Sequence, residues 1–492
     1  MNNSPKIQEK TLHNIWIKQD FSDELVAPTG DTITILNTGE YNTDSVGPDF
    51  KHARIKIGNL TFVGDIEIDL DYSDWKNHGH NINKHYNKTI LHLCYTNNQR
   101  QNYVYTVEGR KVNSVSIYDK VSLDDLEFEI KLAGKNQKAK SNNLKCSNEV
   151  SAIEHELKSK FILDLGIKRF QNKCDRIYRR LKELKFLSSM KANEPVIRYE
   201  LTKEFNDKKF SQDDFKEKEL WQQLFYELVF EALGYSKNKT MMMKLAQNAN
   251  IIFLKQFKEV EDYNYLLESA LYNISGLMPE VDIETEKNSE YLILLNEIWG
   301  NISTKYDGKR FDETQWHFLG QRPQNFPTVR ISGGARILES IIKRNLVGVL
   351  IKKFSELTSI KVLINSIRSL FIIKASSYWK DHYVFEKTSK VKLNYIIGLN
   401  RADEIFINVL LPYLAVYFDV FGNEILSRKV LKVYNEYEQR SDNAITSKVT
   451  SDLRLKGYNS KAIYSQGMIE LYRNYCTKNK CLECEIGEKV FS

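Results

Sequence analysis

Near residue 150 the apolar residues of this 492-residue chain change their spacing, and that change dictates a two-part fold. Before it, DTITILN, HARIKIGN and LTFVGDIEIDL alternate apolar and polar residues with the period of two that belongs to half-buried strands. After it, AIEHELKSKFILDLGIKRFQNKCDRIYRRLKELKFL and LWQQLFYELVFEALGY place apolar residues every three or four positions, as amphipathic helices do. A chain of this length exceeds one hydrophobic core. The expected architecture is α+β. A mixed-sheet domain covers residues 1–136, a polar, lysine-rich linker 137–150, a helical domain 151–310, and a second helical region 311–492 that ends in a cysteine motif.

Within the first part a helix is expected over Ile7–Gln19, with Trp16 on its apolar face. Strands follow, two of them joined by a hairpin through Gly58-Asn59. SDWKNHG breaks the pattern, HNINKHYN has room for a short helix, and KTILHLCY is an apolar strand; VYTVEG and VNSVSIY extend the sheet. The order is helix–strand–strand–strand–helix–strand. In the second part, FLGQRPQNFPTVRISGGARI interrupts the helices with prolines and paired glycines and is expected as a loop.

Charge narrows the partners. The net charge is +7, yet Lys131–Lys191 alone holds 16 Lys/Arg against 6 Asp/Glu. Such a block suits a polyanion such as nucleic acid, or forms a solvated helix face. The start, MNNSPKIQEK, carries no secretory signal, and no apolar run is long enough to span a membrane. Six cysteines in so long a chain make no disulfide framework. The expectation is a soluble, cytoplasmic protein with no membrane partner.

The chemistry concentrates in residues 47–92. Five of the nine histidines lie between positions 52 and 92, beside Asp49 and the strand Asp65-Ile66-Glu67-Ile68-Asp69. Alternation puts the three carboxylates on one strand face and the two isoleucines on the other. Carboxylates so crowded repel unless a cation binds or water covers them. The hairpin permits Asp49 to approach Glu67. Asp49, Glu67 and Asp69 are therefore expected to hold Mg2+ or Mn2+, with His78 or His80 assisting proton transfer. Cys476-x4-Cys481-x2-Cys484 has spacing that can hold Zn2+ or three corners of an iron–sulfur cluster, with a fourth ligand from Cys94, Cys146, Cys174, a histidine or solvent, or else packs as three small thiols at a C-terminal turn. Arg322 and Arg330 are planar donors suited to phosphate or base edges, and equally to bridging carboxylates.

Pro48-Asp49, Glu67 and the element order resemble the PD-(D/E)xK nuclease superfamily, the restriction-endonuclease-like fold. That resemblance implies Asp49 and Glu67 as metal ligands, with Asp69 standing where a water-orienting lysine is expected; Lys51, Lys56 and Lys76 are possible replacements. DIEIDLDYSDWKNHGH is similar to the Trp-His-Gly-His element of very-short-patch mismatch endonucleases, which implies a histidine acting on water. The whole chain, from Gly47-Pro48-Asp49-Phe50 through Gly234-Tyr235 and Arg322-Pro323 to Cys484, resembles an uncharacterised bacterial family, domain of unknown function 2851. Together these imply a metal-dependent nuclease acting on DNA or RNA, or a non-catalytic nucleic-acid-binding or protein-interaction scaffold that retains the nuclease fold.

Overall fold

The computed structural model describes residues 9–19, 21–42, 47–121, 143–190, 203–280, 288–318, 321–439 and 443–491. Residues 131–142 and Lys191 of the basic block, and 137–142 of the expected linker, lie outside them. The chain divides into two compact units, Met1–Asn142 and Asn143–Ser492.

The first unit is built on a mixed sheet. Helix α1 spans Glu9–Lys18, within the expected Ile7–Gln19. Strands β1 (Leu25–Val26), β2 (Thr32–Asn37), β3 (Glu40–Tyr41), β4 (Phe50–Ile57) and β5 (Leu60–Asp71) follow. Then come a short helix α2 (Asp74–Asn77), two single 3-10 turns, and β6 (Thr89–Thr96), β7 (Tyr103–Tyr105) and β8 (Lys111–Ser116). The sheet order is β1-β2-β4-β5-β6-β8-β7, with β3 paired to β4. The β4–β5 hairpin turns at Gly58-Asn59, where Ile57 pairs with Leu60 and Gly58 takes φ +56°. β5, β6 and β8 are parallel neighbours. Parallel strands need a crossover, and the segment Tyr72–Lys88 supplies one. Ile66, Ile68, Leu91 and Leu93 face α1 residues Leu12, Ile15 and Trp16 in one core, so period-two alternation was a sound guide to this face.

The second unit is dominated by helices and one large core that draws on both 151–310 and 311–492. It is not purely helical. Ile373–Lys374 pairs with Tyr395–Ile397, and His382–Val384 with Lys387–Thr388, as two small antiparallel ribbons. The expected loop over 318–337 is also corrected. A helix, Pro327–Ile342, begins at the second proline and runs through Gly333-Gly334. A Cβ on Gly333 would crowd Ile396 and Ile397, and one on Gly334 would crowd Phe230. These glycines permit close packing rather than a turn.

Helix His155–Met190, 36 residues, carries most of the basic block. Its arginines are engaged within the unit. Arg169 binds Glu470, Arg176 forms a double hydrogen bond with Glu231, and Arg180 forms another with Glu227 at 2.7 and 3.1 Å. Three of the ten basic residues of this helix thus neutralise carboxylates of other helices. The Glu227 side chain is only 2% exposed. Arg180→Ala leaves that charge buried with Gln223 as its other donor. The expected cost is about 3 kcal/mol of unfolding free energy. Urea denaturation reads it directly; a loss below about 1 kcal/mol would place the pair in the class of solvated surface bridges.

The same helix crosses Ala462–Leu471 without intervening side chains. A Cβ on Gly166 would overlap the Ile463 carbonyl, and one on Gly467 the Ile162 carbonyl. Each glycine lets the other helix's backbone come in.

Candidate metal centre

A bulge sets the register that brings the carboxylates together. Phe50 pairs with Ile66 but Ala53 with Gly64, so β4 carries one more residue than β5 across this interval. His52 takes up the excess at φ +59°, and its amide donates to Asp65 Oδ1 at 3.2 Å. Asp65 is thereby spent on the bulge. The shifted register sets Asp49 beside Glu67 and Ile68. The Asp49 amide donates to Glu67 Oε2 at 3.0 Å, and the Ile68 amide donates to Asp49 Oδ2 at 3.0 Å.

The parallel pairing then aligns Glu67 with His92, and His92 with Ser114. His92 is fully buried. Its Nδ1 lies 2.9 Å from Ser114 Oγ and its Nε2 3.2 Å from Asp69 Oδ2. The crossover brings in the remaining imidazoles. His78 Nδ1 lies 3.2 Å from Asp69 Oδ1, and His80 Nε2 lies 3.0 Å from Glu67 Oε1 and 3.8 Å from Asp69 Oδ1. Trp75, fully buried, packs on both His80 and His92, and Tyr86 covers His80 at 4.1 Å between ring centroids. From α1, His13 Nε2 reaches Asp49 Oδ2 at 3.2 Å. Glu9, one turn earlier, sits where burial and the charges of Asp69 and Asp49 raise its pKa.

The electrostatics follow from crowding in a dry place. Burial pushes the Glu67 carboxyl up, against the pull of His80. Burial also opposes ionisation of Asp69, but His80 and His92 outweigh it and hold Asp69 at about 2. For His80, burial favours the neutral ring, while Asp69 and Glu67 raise it to about 9. The contacts remain incomplete. His80 Nε2 and both ring nitrogens of His13 are buried without a well-directed hydrogen bond. A cation held by Asp69, His78 and His80 would take the lone pair of the deprotonated His80 ring. Among the described residues, Asp69, His78 and His80 are the group whose ligand atoms all lie within 4.8 Å of one another.

Thus Asp49, Glu67, Asp69, His78 and His80 come together as one cluster. Glu9, His13 and Ser114 join it without having been singled out, and His92 proves to be both core and site. The signals were present: Glu9 and His13 are four apart on one helix, and His92 is the lone imidazole in an apolar strand.

The other expected residues lie in the second unit. Cys484 is buried, and Cys146 and Cys476 pack half-buried against the same small core. Burial pushes the Cys146 thiol up to about 11 and the Cys476 thiol up to about 12, with Cys484 adding to both. Cys476, Cys481 and Cys484 do not form a trio within 4.8 Å in this structure. Arg322 is exposed ahead of a 3-10 turn, whereas Arg330 is buried in the helix Pro327–Ile342.

A family model described as "Protein of unknown function (DUF2851)" matches residues 9–213 and 207–443. No curated protein and no solved structure matches the chain. No helix among the described residues is long and apolar enough to cross a membrane.

Proposed function

The chain belongs to the family described as protein of unknown function (DUF2851), and we propose that its first unit is a metal-dependent phosphodiesterase of restriction-endonuclease-like type acting on DNA or RNA. The observation that carries this reading is the convergence of Asp69, His78 and His80 beside the interlocked pair Asp49 and Glu67.

Asp69, His78 and His80 would hold the ion. Two imidazoles in the set favour a transition ion such as Mn2+ over Mg2+. Bound there, the ion supplies a Lewis acid for a phosphoryl oxygen. The protein's own groups do the rest. His92 behind Asp69 and His13 behind Asp49 fix the orientation of each carboxylate, as outer partners of metal sites do. Glu67 closes the buried side of the set, with a side chain only 7% exposed. Asp49 is 25% exposed, so it is the carboxylate that water and substrate can reach. Its Oδ2 is engaged by the Ile68 amide and His13, which leaves Oδ1 to take the proton of an attacking water. The position where the superfamily pattern has lysine is occupied by Asp69, whose partners here are three histidines.

Mn2+ is expected to raise the melting temperature of the full chain. At a hundredfold excess over Kd the gain is about 2.7 kcal/mol. A crystal soaked with Mn2+ should show the ion on Asp69, His78 and His80, and single- or double-stranded DNA or RNA should be cut only when metal is present. An empty site in the soak, together with no cleavage of any of these substrates, would favour the non-catalytic scaffold.

A further inference from the structure

The helical unit carries an open cleft of about 720 Å³ whose wall is strongly cationic. Its described lining contains Arg322, Arg330, Arg401 and Lys392, against one carboxylate, Glu404. Lys392 is paired with Asp381, and Glu404, which accepts from Asn408, offsets part of the Arg401 charge from a distance.

Arg330 is only 5% exposed. It donates to the Ile396 carbonyl, to Tyr235 Oη at 2.8 Å and to Asn325 Oδ1 at 2.7 Å, all of them uncharged acceptors. The Arg401 guanidinium stacks 3.3 Å from the centre of the Tyr235 ring and donates to the Ala232 carbonyl. The Nε atoms of Arg330 and Arg401 are both buried without a partner. Burial lowers the pKa of both groups, Arg330 to about 10. Two guanidiniums beside one tyrosine, each with a buried Nε–H unspent and no carboxylate of the described residues within ion-pair distance, are an unbalanced burial of charge. Stacking on Tyr235 offsets only part of it. An anion from outside the chain would complete the balance.

The size and remaining chemistry of the cavity narrow that anion. A bare phosphate would leave most of the volume empty, whereas a nucleotide falls in the range of ordinary ligand pockets. Asn394, Asn443 and Gln466 line the same space with side-chain amides; the oxygens of Asn443 and Gln466 are engaged by Ile445 and by Arg169 and Lys173, so their NH2 groups are what they offer to the acceptor edge of a base. Pro323 and Pro327 open the turn and the helix that set Arg322 and Arg330 at their places on the wall.

We propose that this cavity binds a nucleoside phosphate, with its phosphate held by Arg322, Arg330 and Arg401 and its base met by the surrounding amides. The described lining of the cavity belongs to the helical unit, and the inference does not rest on the metal centre. The ligand's source is either a free nucleotide or the phosphorylated end of a nucleic-acid strand.

The test uses the full chain in EDTA, which leaves the first unit without metal. Calorimetric titration is run with nucleoside monophosphates, the matching nucleosides, inorganic phosphate, and an oligonucleotide with and without a 5′-phosphate. Binding of at least one phosphorylated nucleotide, and not of its nucleoside, is expected. Arg322→Ala and Arg401→Gln should each weaken it about tenfold or more, while Glu67→Gln leaves it unchanged. Arg322 is exposed, so its variant guards against a folding defect in the other. A 5′-phosphorylated strand that outbinds free nucleotides identifies a strand end as the source; the reverse order identifies a free nucleotide. The proposal is overturned if no nucleotide or phosphorylated strand binds, if inorganic phosphate binds as tightly as every nucleotide, or if both arginine variants bind normally.

Discussion

Asp69→Ala is expected to lower metal-dependent cleavage by at least about 10³-fold, the scale on which a removed electrostatic or ligating group acts on a phosphoryl-transfer site. Asp69 is the residue on which the centre converges. Its Oδ1 faces His78 and His80, and its Oδ2 faces His92. Removing it takes away one ligand and leaves two others without the carboxylate that orients them. Metal titration should therefore lose its high-affinity phase along with activity. His92→Ala tests the same hub from behind. It keeps Asp69, His78 and His80 but frees Asp69 Oδ2, and a loss of about 10–100-fold in metal affinity is expected. The two variants separate ligation from orientation: excess Mn2+ should restore much of the activity of His92→Ala and none of that of Asp69→Ala. Full activity of Asp69→Ala at any metal concentration would remove the centre from the reaction.

Much of this site could be read in the sequence, and what could not has definite physical causes. Alternation is local, so Glu67 and Asp69 could be set on one face and Ile66 and Ile68 on the other without knowing any partner. The meeting of Asp49 with Glu67 needed a register, and that register depends on a bulge at His52, which takes a positive φ that is uncommon outside glycine. Asp65 was grouped with its strand-mates because nothing in the sequence marks the bulge that claims it. Glu9 and His13 reach the site only because α1 packs on the apolar face of β5, a tertiary event. In the helical unit, Gly333-Gly334 reads equally as a turn or as close packing, and only the side chains of Phe230, Ile396 and Ile397 decide between them. The basic helix shows what a charge count leaves out. Its charge excess is real, but Glu227, Glu231 and Glu470 meet its arginines from distant parts of the chain. Composition counts charges without knowing which are already paired.

Gly467→Ala is expected to cost as much stability as Arg180→Ala, because the crossing it serves leaves no room for one methyl group. The added Cβ would overlap the Ile162 carbonyl, an atom of the backbone of helix His155–Met190, so no side-chain rotamer relieves it. Gly166 faces the Ile463 carbonyl in the same way, so the two helices touch backbone to backbone at two points. Relief requires the helices to separate, which opens packing around Ile162, Leu165, Met468 and Leu471 in the small core they share. Alanine normally favours a helix over glycine by about 1 kcal/mol, so local propensity alone predicts stabilisation. Overpacking of a tight contact typically costs 1–3 kcal/mol and can cost more, and here it is set against backbone rather than a side chain that can yield. The net expectation is a loss of about 3 kcal/mol, read by chemical denaturation of the full chain. A control lies on an exposed helical glycine with open space around it: Gly300→Ala should be neutral or stabilising. The opposite signs of one substitution at two helical glycines separate packing from propensity. If Gly467→Ala instead stabilised the protein as Gly300→Ala does, the two helices could not cross as closely as they do in this structure.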